Sequence, residues 1–181
     1  MGYTTDFEGE FKTSRPLTDE EVHYINNFAD KRRMKRDVNT LLDLFKGEHG
    51  RLGVPVTATP QEIYGVDGEF FIGGGGFAGQ ESDDSILEYN EPPATQPGLW
   101  CQWNVIDNDT IAWDGSEKFY NYVEWIRYYI DNFFKPWGVS ITGDVEWVGE
   151  DTSDRGRIHI KDNKVNIQVA HITWLDEDEN Y

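Results

Sequence analysis

Hydrophobic and polar residues alternate near the start of the chain, with Phe7, Gly9 and Phe11 set against Asp6, Glu8, Glu10 and Lys12. That is the period-two pattern of a short strand with one buried face. The period then lengthens. Val22, Ile25, Phe28 and Ala29 follow Thr18, and Glu21 stands three residues after it, which predicts a helix opened by a capping box, with Val22 stapled onto Leu17. Lys31, Arg32, Arg33, Lys35 and Arg36 come where the negative end of the helix dipole favours cations. Asp37 caps a second predicted helix with Val38, Leu41, Leu42 and Phe45 on one face, stopped by Gly47. Thr59, Pro60 and Glu62 predict one more short helical turn, ending by Gly65.

From Glu69 onward the pattern turns to β. Strands are predicted over 70–72, 86–89 and 99–106, and the turn formers Asp107, Asn108 and Asp109 should return the chain antiparallel into 110–113. A single long helix is predicted over 114–135. It starts near Asp114 or Ser116, carries Phe119, Tyr122, Val123, Ile126, Ile130, Phe133 and Phe134 as its apolar stripe, and is stopped by Pro136. Strands over 139–148, 157–161 and 165–174 complete the pattern, with Asp162-Asn163 as a two-residue hairpin loop. The fold class is therefore α+β: a mostly antiparallel sheet with one long helix and two N-terminal helices packed against it. One domain is expected over 1–175, followed by an acidic, frayed tail over 176–181.

Composition sharpens this picture. The chain has 181 residues, with 34 acids against 16 bases and a formal charge of −18. Between Arg51 and Lys118 no lysine or arginine occurs, while acids run from Glu62 through Asp83 and Asp84 to Glu117. Such acids must mostly face water, so a negative field that repels nucleic acid and attracts basic surfaces is expected. With seven Trp, nine Tyr and ten Phe, this is not the composition of a disordered acidic chain. The one cysteine, Cys101, lies between Trp100 and Trp103, so no disulfide can form within the chain and a reduced compartment is expected. Neither a signal peptide, a membrane span nor a myristoylation signal is read.

Three stretches resemble an uncharacterised family of small acidic proteins of tailed bacteriophages and bacteria: PPATQPGLWCQW at 92–103, WDGSEKFYNYVEW at 113–125 and GDVEWVGED at 143–151. The N-terminal MGYTTDFEGEFK and the RRMKRD run at 32–37 are similar as well. The resemblance implies a cytoplasmic protein of a bacterial cell, and it carries no activity and no functional residue with it. Small acidic phage proteins often bind host proteins, an analogy at the level of class.

Signatures of catalysis are missing: there is no GxSxG, HExxH or CxxC motif. The glycine run 73–76 lacks the helix and the cation of a phosphate cradle, and reads as a loop. Glu146, Glu150, Asp151 and Asp154 do not have the spacing of a calcium loop. His159 and His171 lie on neighbouring predicted strands and read as surface or packing residues. The basic run 31–36 can contact nucleic acid or pair with the acidic middle of the same chain. No catalytic residue, cofactor or metal is expected. The expected function is that of a non-enzymatic interaction protein, a phage-encoded inhibitor whose acidic surface engages a basic or nucleic-acid-binding host protein. Asp83, Asp84, Glu88, Glu91, Asp107 and Asp109 are its partner-binding residues, and the partner is that host protein rather than nucleic acid or membrane. The alternative is a small-molecule-binding protein or hydrolase with a cleft at Trp100, Trp103 and Trp113, rimmed by the proline-rich loop 92–98.

Overall fold

The computed structural model describes residues 2–75 and 82–176. Gly76 of the glycine run and residues 177–181 of the expected tail lie outside them. In chain order the elements are β1 (Thr5–Thr13), α1 (Asp19–Ala29), β2 (Lys35–Arg36), α2 (Val38–Phe45), α3 (Pro60–Tyr64), β3 (Ile86–Glu88), β4 (Trp103–Asp107), β5 (Thr110–Trp113), α4 (Tyr122–Tyr129), β6 (Ile141–Gly149), β7 (Arg155–Lys161) and β8 (Lys164–Val169). Six strands form one antiparallel sheet in the order β4-β5-β1-β6-β7-β8, and β2 and β3 pair as a separate ribbon. The α+β class and the mostly antiparallel sheet are as the sequence predicts.

Local signals are realised where the chemistry is short-range. Thr18 and Glu21 form the capping box of α1, Asp37 accepts the Thr40 N–H at the start of α2, and Thr59 and Glu62 box α3 behind Pro60. Asp162 and Asn163 both take positive φ in the β7–β8 hairpin, the conformation of a type I′ turn. On the sheet's inner face Phe11, Trp103, Ile111, Val145, Ile158 and Ile160 are buried with α1 and α4 in one core. Phe28 is its hub, meeting Trp125, Tyr129 and Phe133 edge to face. Gly156 on β7 lies under the Trp147 ring, where an added β-carbon would fall 2.3 Å from it, so any larger residue would displace the indole.

Several expectations are overturned. The helix expected over 114–135 begins only at Tyr122, because Lys118 and Asn121 adopt positive φ. Phe119 is thereby turned into the cluster of Phe7 and Trp103 instead of lying along a helix. The helix ends in a π turn over Ile130–Phe134, whose wider winding buries Ile130, Phe133 and Phe134 together. Residues 70–72 are not a strand: Phe70 and Phe71 insert into two different clusters. The strand expected over 99–106 starts at Trp103, and that expected over 165–174 stops at Val169. Finally, α2 does not lie on the sheet. Its Leu41 packs with Ile63, Tyr64 and Phe71 in a second, smaller core.

Candidate functional site

The basic run after α1 is consumed inside the molecule. Arg33 is 3% exposed and donates to the carbonyls of Glu69 and Phe71 at 2.8 and 2.9 Å, with its guanidinium 4.0 Å over the Phe28 ring. Arg36 pairs with Asp83 at 2.8 Å and donates to Ser85. Lys31 donates to the Gly74 carbonyl. Arg32 donates to the Tyr89 carbonyl and lies over the rings of Tyr89 and Trp100. Pairing with acids of the middle segment is realised for Arg36 with Asp83 and for Lys35, 3.9 Å from Asp67; Lys31, Arg32 and Arg33 bond to backbone carbonyls instead.

Those contacts fix the proline-rich loop. The Arg33 amide donates to the Leu99 carbonyl. Buried Glu69 accepts from the hydroxyls of Thr95 and Tyr128 at 2.6 and 2.7 Å, and Gln96 donates to the Glu69 carbonyl and to Tyr128. Burial, and then the charge of Glu69, push the Tyr128 hydroxyl upward, so it stays a donor. The Glu69 node was missed in sequence because a lone acid at the head of an apolar run carries no signal of burial.

Between this loop, the end of α1 and the loop 114–121 runs a cleft of about 1050 Å³. Trp100, Pro97, Leu99 and Tyr120 supply its apolar wall, while Asp30, Asp114, Glu117, Lys31 and Lys118 stand around it. Behind Gly98 the indole Nε1 of Trp125 is buried without an acceptor among the described residues. It lies 3.9 Å from the point a Gly98 β-carbon would occupy, and Asn121 Nδ2 lies 3.4 Å from that point. Asn121 donates to the Pro97 carbonyl. Two donors therefore converge behind a turn that has no side chain of its own.

The expected cleft residues part company. Trp100 lines the cleft. Trp103 does not, being fully buried with its indole donating to the Tyr122 carbonyl; alternation on β4 points it inward. Trp113 packs on Phe7 and donates to Gln102 and Ser116. Cys101 is buried, and burial pushes its thiol up to about 12, so it is no thiolate at neutral pH.

The expected partner-binding acids also separate. Asp84, Glu88, Glu91 and Asp107 are exposed. Asp83 is half-buried against Arg36, and Asp109 accepts from Lys12 and Thr110. The segment 83–91 joins the chain after α1, through Lys35 to Glu91 and Asp37 to Ser85, whereas 107–109 joins before it, through Leu17 to Asn108. The two groups thus lie at opposite ends of an 11-residue helix, about 16 Å long, and do not make one patch. A tighter acidic column lies on the outer sheet face, where Glu8 stands directly opposite Glu146 and Glu10 opposite Asp144. The sequence hid it, since its two halves lie on the first strand and on a strand near the other end of the chain.

Elsewhere, Glu150 and Asp154 accept from the N-terminal Thr4 and Tyr3, His159 meets Asp144 at 2.7 Å, and no group of three or more metal-binding side chains occurs among the described residues. No helix among them is long and apolar enough to cross a membrane. No family model matches the chain, and no curated protein or solved structure matches it either.

Proposed function

We propose that the protein is a non-enzymatic binding protein that holds a small molecule in the Trp100 cleft. The observation that carries this reading is the buried Trp125 indole N–H, without an acceptor among the described residues, directly behind Gly98, which itself lines the cleft. An orphan donor of this kind costs about 1–3 kcal/mol, and an acceptor on a ligand would recover it. The ligand that fits has a flat apolar body against Trp100 and a carbonyl or similar acceptor turned toward Gly98. Two of the stretches that carry the resemblance to the phage and bacterial family, 92–103 and 113–125, supply most of the wall. The test is a metabolite screen read by tryptophan fluorescence and saturation-transfer NMR. A hit should be lost in Trp100→Ala with the circular dichroism unchanged; a screen with no hit, or hits that Trp100→Ala retains, sinks the reading.

A second reading, an acidic inhibitor of a basic host protein in the bacterial cytoplasm, is favoured by the Glu8, Glu10, Asp144 and Glu146 column together with exposed Asp84, Glu88 and Glu91. It requires capture of a basic partner from host lysate that is lost at high salt and in Glu8→Lys/Glu146→Lys. Capture that persists in that variant would rule the column out.

A further inference from the structure

The two edges of the six-stranded sheet are treated differently. On β4 the residues whose backbone groups face outward are Trp103 and Val105, and both are closed. Asn26 on α1 uses its amide as a neighbouring strand would, donating to the Val105 carbonyl at 3.1 Å and accepting the Val105 N–H at 2.9 Å. Tyr129 donates to the Trp103 carbonyl at 3.0 Å. The opposite edge, β8, has no such cover among the described residues. Its two-residue hairpin makes Lys161 and Lys164 a hydrogen-bonded pair, so by alternation the N–H and C=O groups of Val165, Ile167 and Val169 face away from β7. No backbone or side-chain group among the described residues bonds to them. An edge of this kind is a template for another strand.

We infer that the β8 edge pairs with the β8 edge of a second copy of this chain, antiparallel about Ile167, joining two sheets into one. Three observations select a second copy as the occupant. The edge is self-complementary: such pairing sets Val165 opposite Val169 of the second copy and Ile167 opposite Ile167, so the apolar inner face continues across the junction, while uncharged Asn166 and Gln168 face one another outside. Repulsion between two chains of charge −18 is also eased at this edge, because β7 and β8 carry Arg155, Arg157, Lys161 and Lys164 and no acid, with Asp162 alone in the turn between them. Lastly, apolar side chains are left over at this edge and just past it: Val169 is 63% exposed, Trp174 91% and Leu175 86%. In the antiparallel arrangement the segment leaving β8 runs beside the hairpin end of the other copy.

Light scattering and native mass spectrometry of the full chain, from below 1 µM to about 100 µM, test the inference alongside amide hydrogen exchange. A dimer is expected, with the Val165, Ile167 and Val169 amides protected in the dimer and exchanging freely on dilution. Val169→Asp changes a mostly exposed side chain and should leave a folded monomer. Ile167→Pro removes an N–H that no bond among the described residues uses, and should do the same. A monomer throughout the range overturns the proposal, as does a dimer that survives Val169→Asp or leaves those amides unprotected.

Discussion

Asp83 and Asp84 are neighbours in sequence with opposite physical roles. Asp83 lies against Arg36, whose side chain is 4% exposed. Burial works against the Asp83 charge, but hydrogen bonds from Ser85 and Arg36 outweigh it and hold the carboxyl below its ordinary 3.8. A carboxyl depressed in the folded state adds stability above its unfolded value, and that stability is lost as pH falls through the folded one. Asp83→Ala should cost about 2 kcal/mol in urea unfolding at pH 7, because the charge-assisted bond from Arg36 and the bonds from Ser85 are lost, and the cost should shrink below pH 3.8. Asp84→Ala should stay within ~0.5 kcal/mol. Cys101 gives a second residue-level outcome. With burial holding its thiol protonated, a chromogenic disulfide reagent at pH 8 should react only on unfolding, and fast reaction in the native protein would contradict the burial.

Lys118 distinguishes the loop from the helix that the apolar spacing predicts. Its φ of +63° is a conformation that glycine adopts without strain. Lys118→Gly should therefore leave the melting temperature unchanged or raise it, whereas in a helix interior the same change would lower stability by about 1 kcal/mol. Caps, hairpins and strands were readable because their determinants lie within a few residues: Thr18 with Glu21, Asp37 with Thr40, Asp162 with Asn163. The start of α4 was not, because Phe119 gains more by meeting Phe7 and Trp103 from far along the chain than by extending a local periodicity. The cleft was half readable. The proline loop and Trp100 were placed on it, but the orphan Trp125 indole, the Glu69 node and the burial of Trp103 depend on contacts that no window of sequence contains.

The charge of the molecule has a geometry that its total does not reveal. Acids of the middle segment pair with Lys35 and Arg36 after α1, and a like-charge contact stands instead on the outer face of the sheet, Glu8 directly opposite Glu146, which also meets Arg157 at 3.7 Å. Directly opposed like charges on paired strands are destabilising, and salt screens them when exposed. Glu8→Gln/Glu146→Gln should raise the melting temperature at low ionic strength, with the gain fading as salt is added. A gain independent of salt would mean that the pair does not act through charge.

The first strand in sequence, β1, lies in the interior of the sheet, bonded on one side to β5 and on the other to β6. A strand in that position has no partner when the ribosome releases it. It must wait until residues beyond 140 have emerged, and the loops closed by that wait are long ones. For the nascent chain, Phe7 and Phe11 stay uncovered throughout that interval, so the apolar side chains that later anchor the core are the ones most open to non-specific association during synthesis.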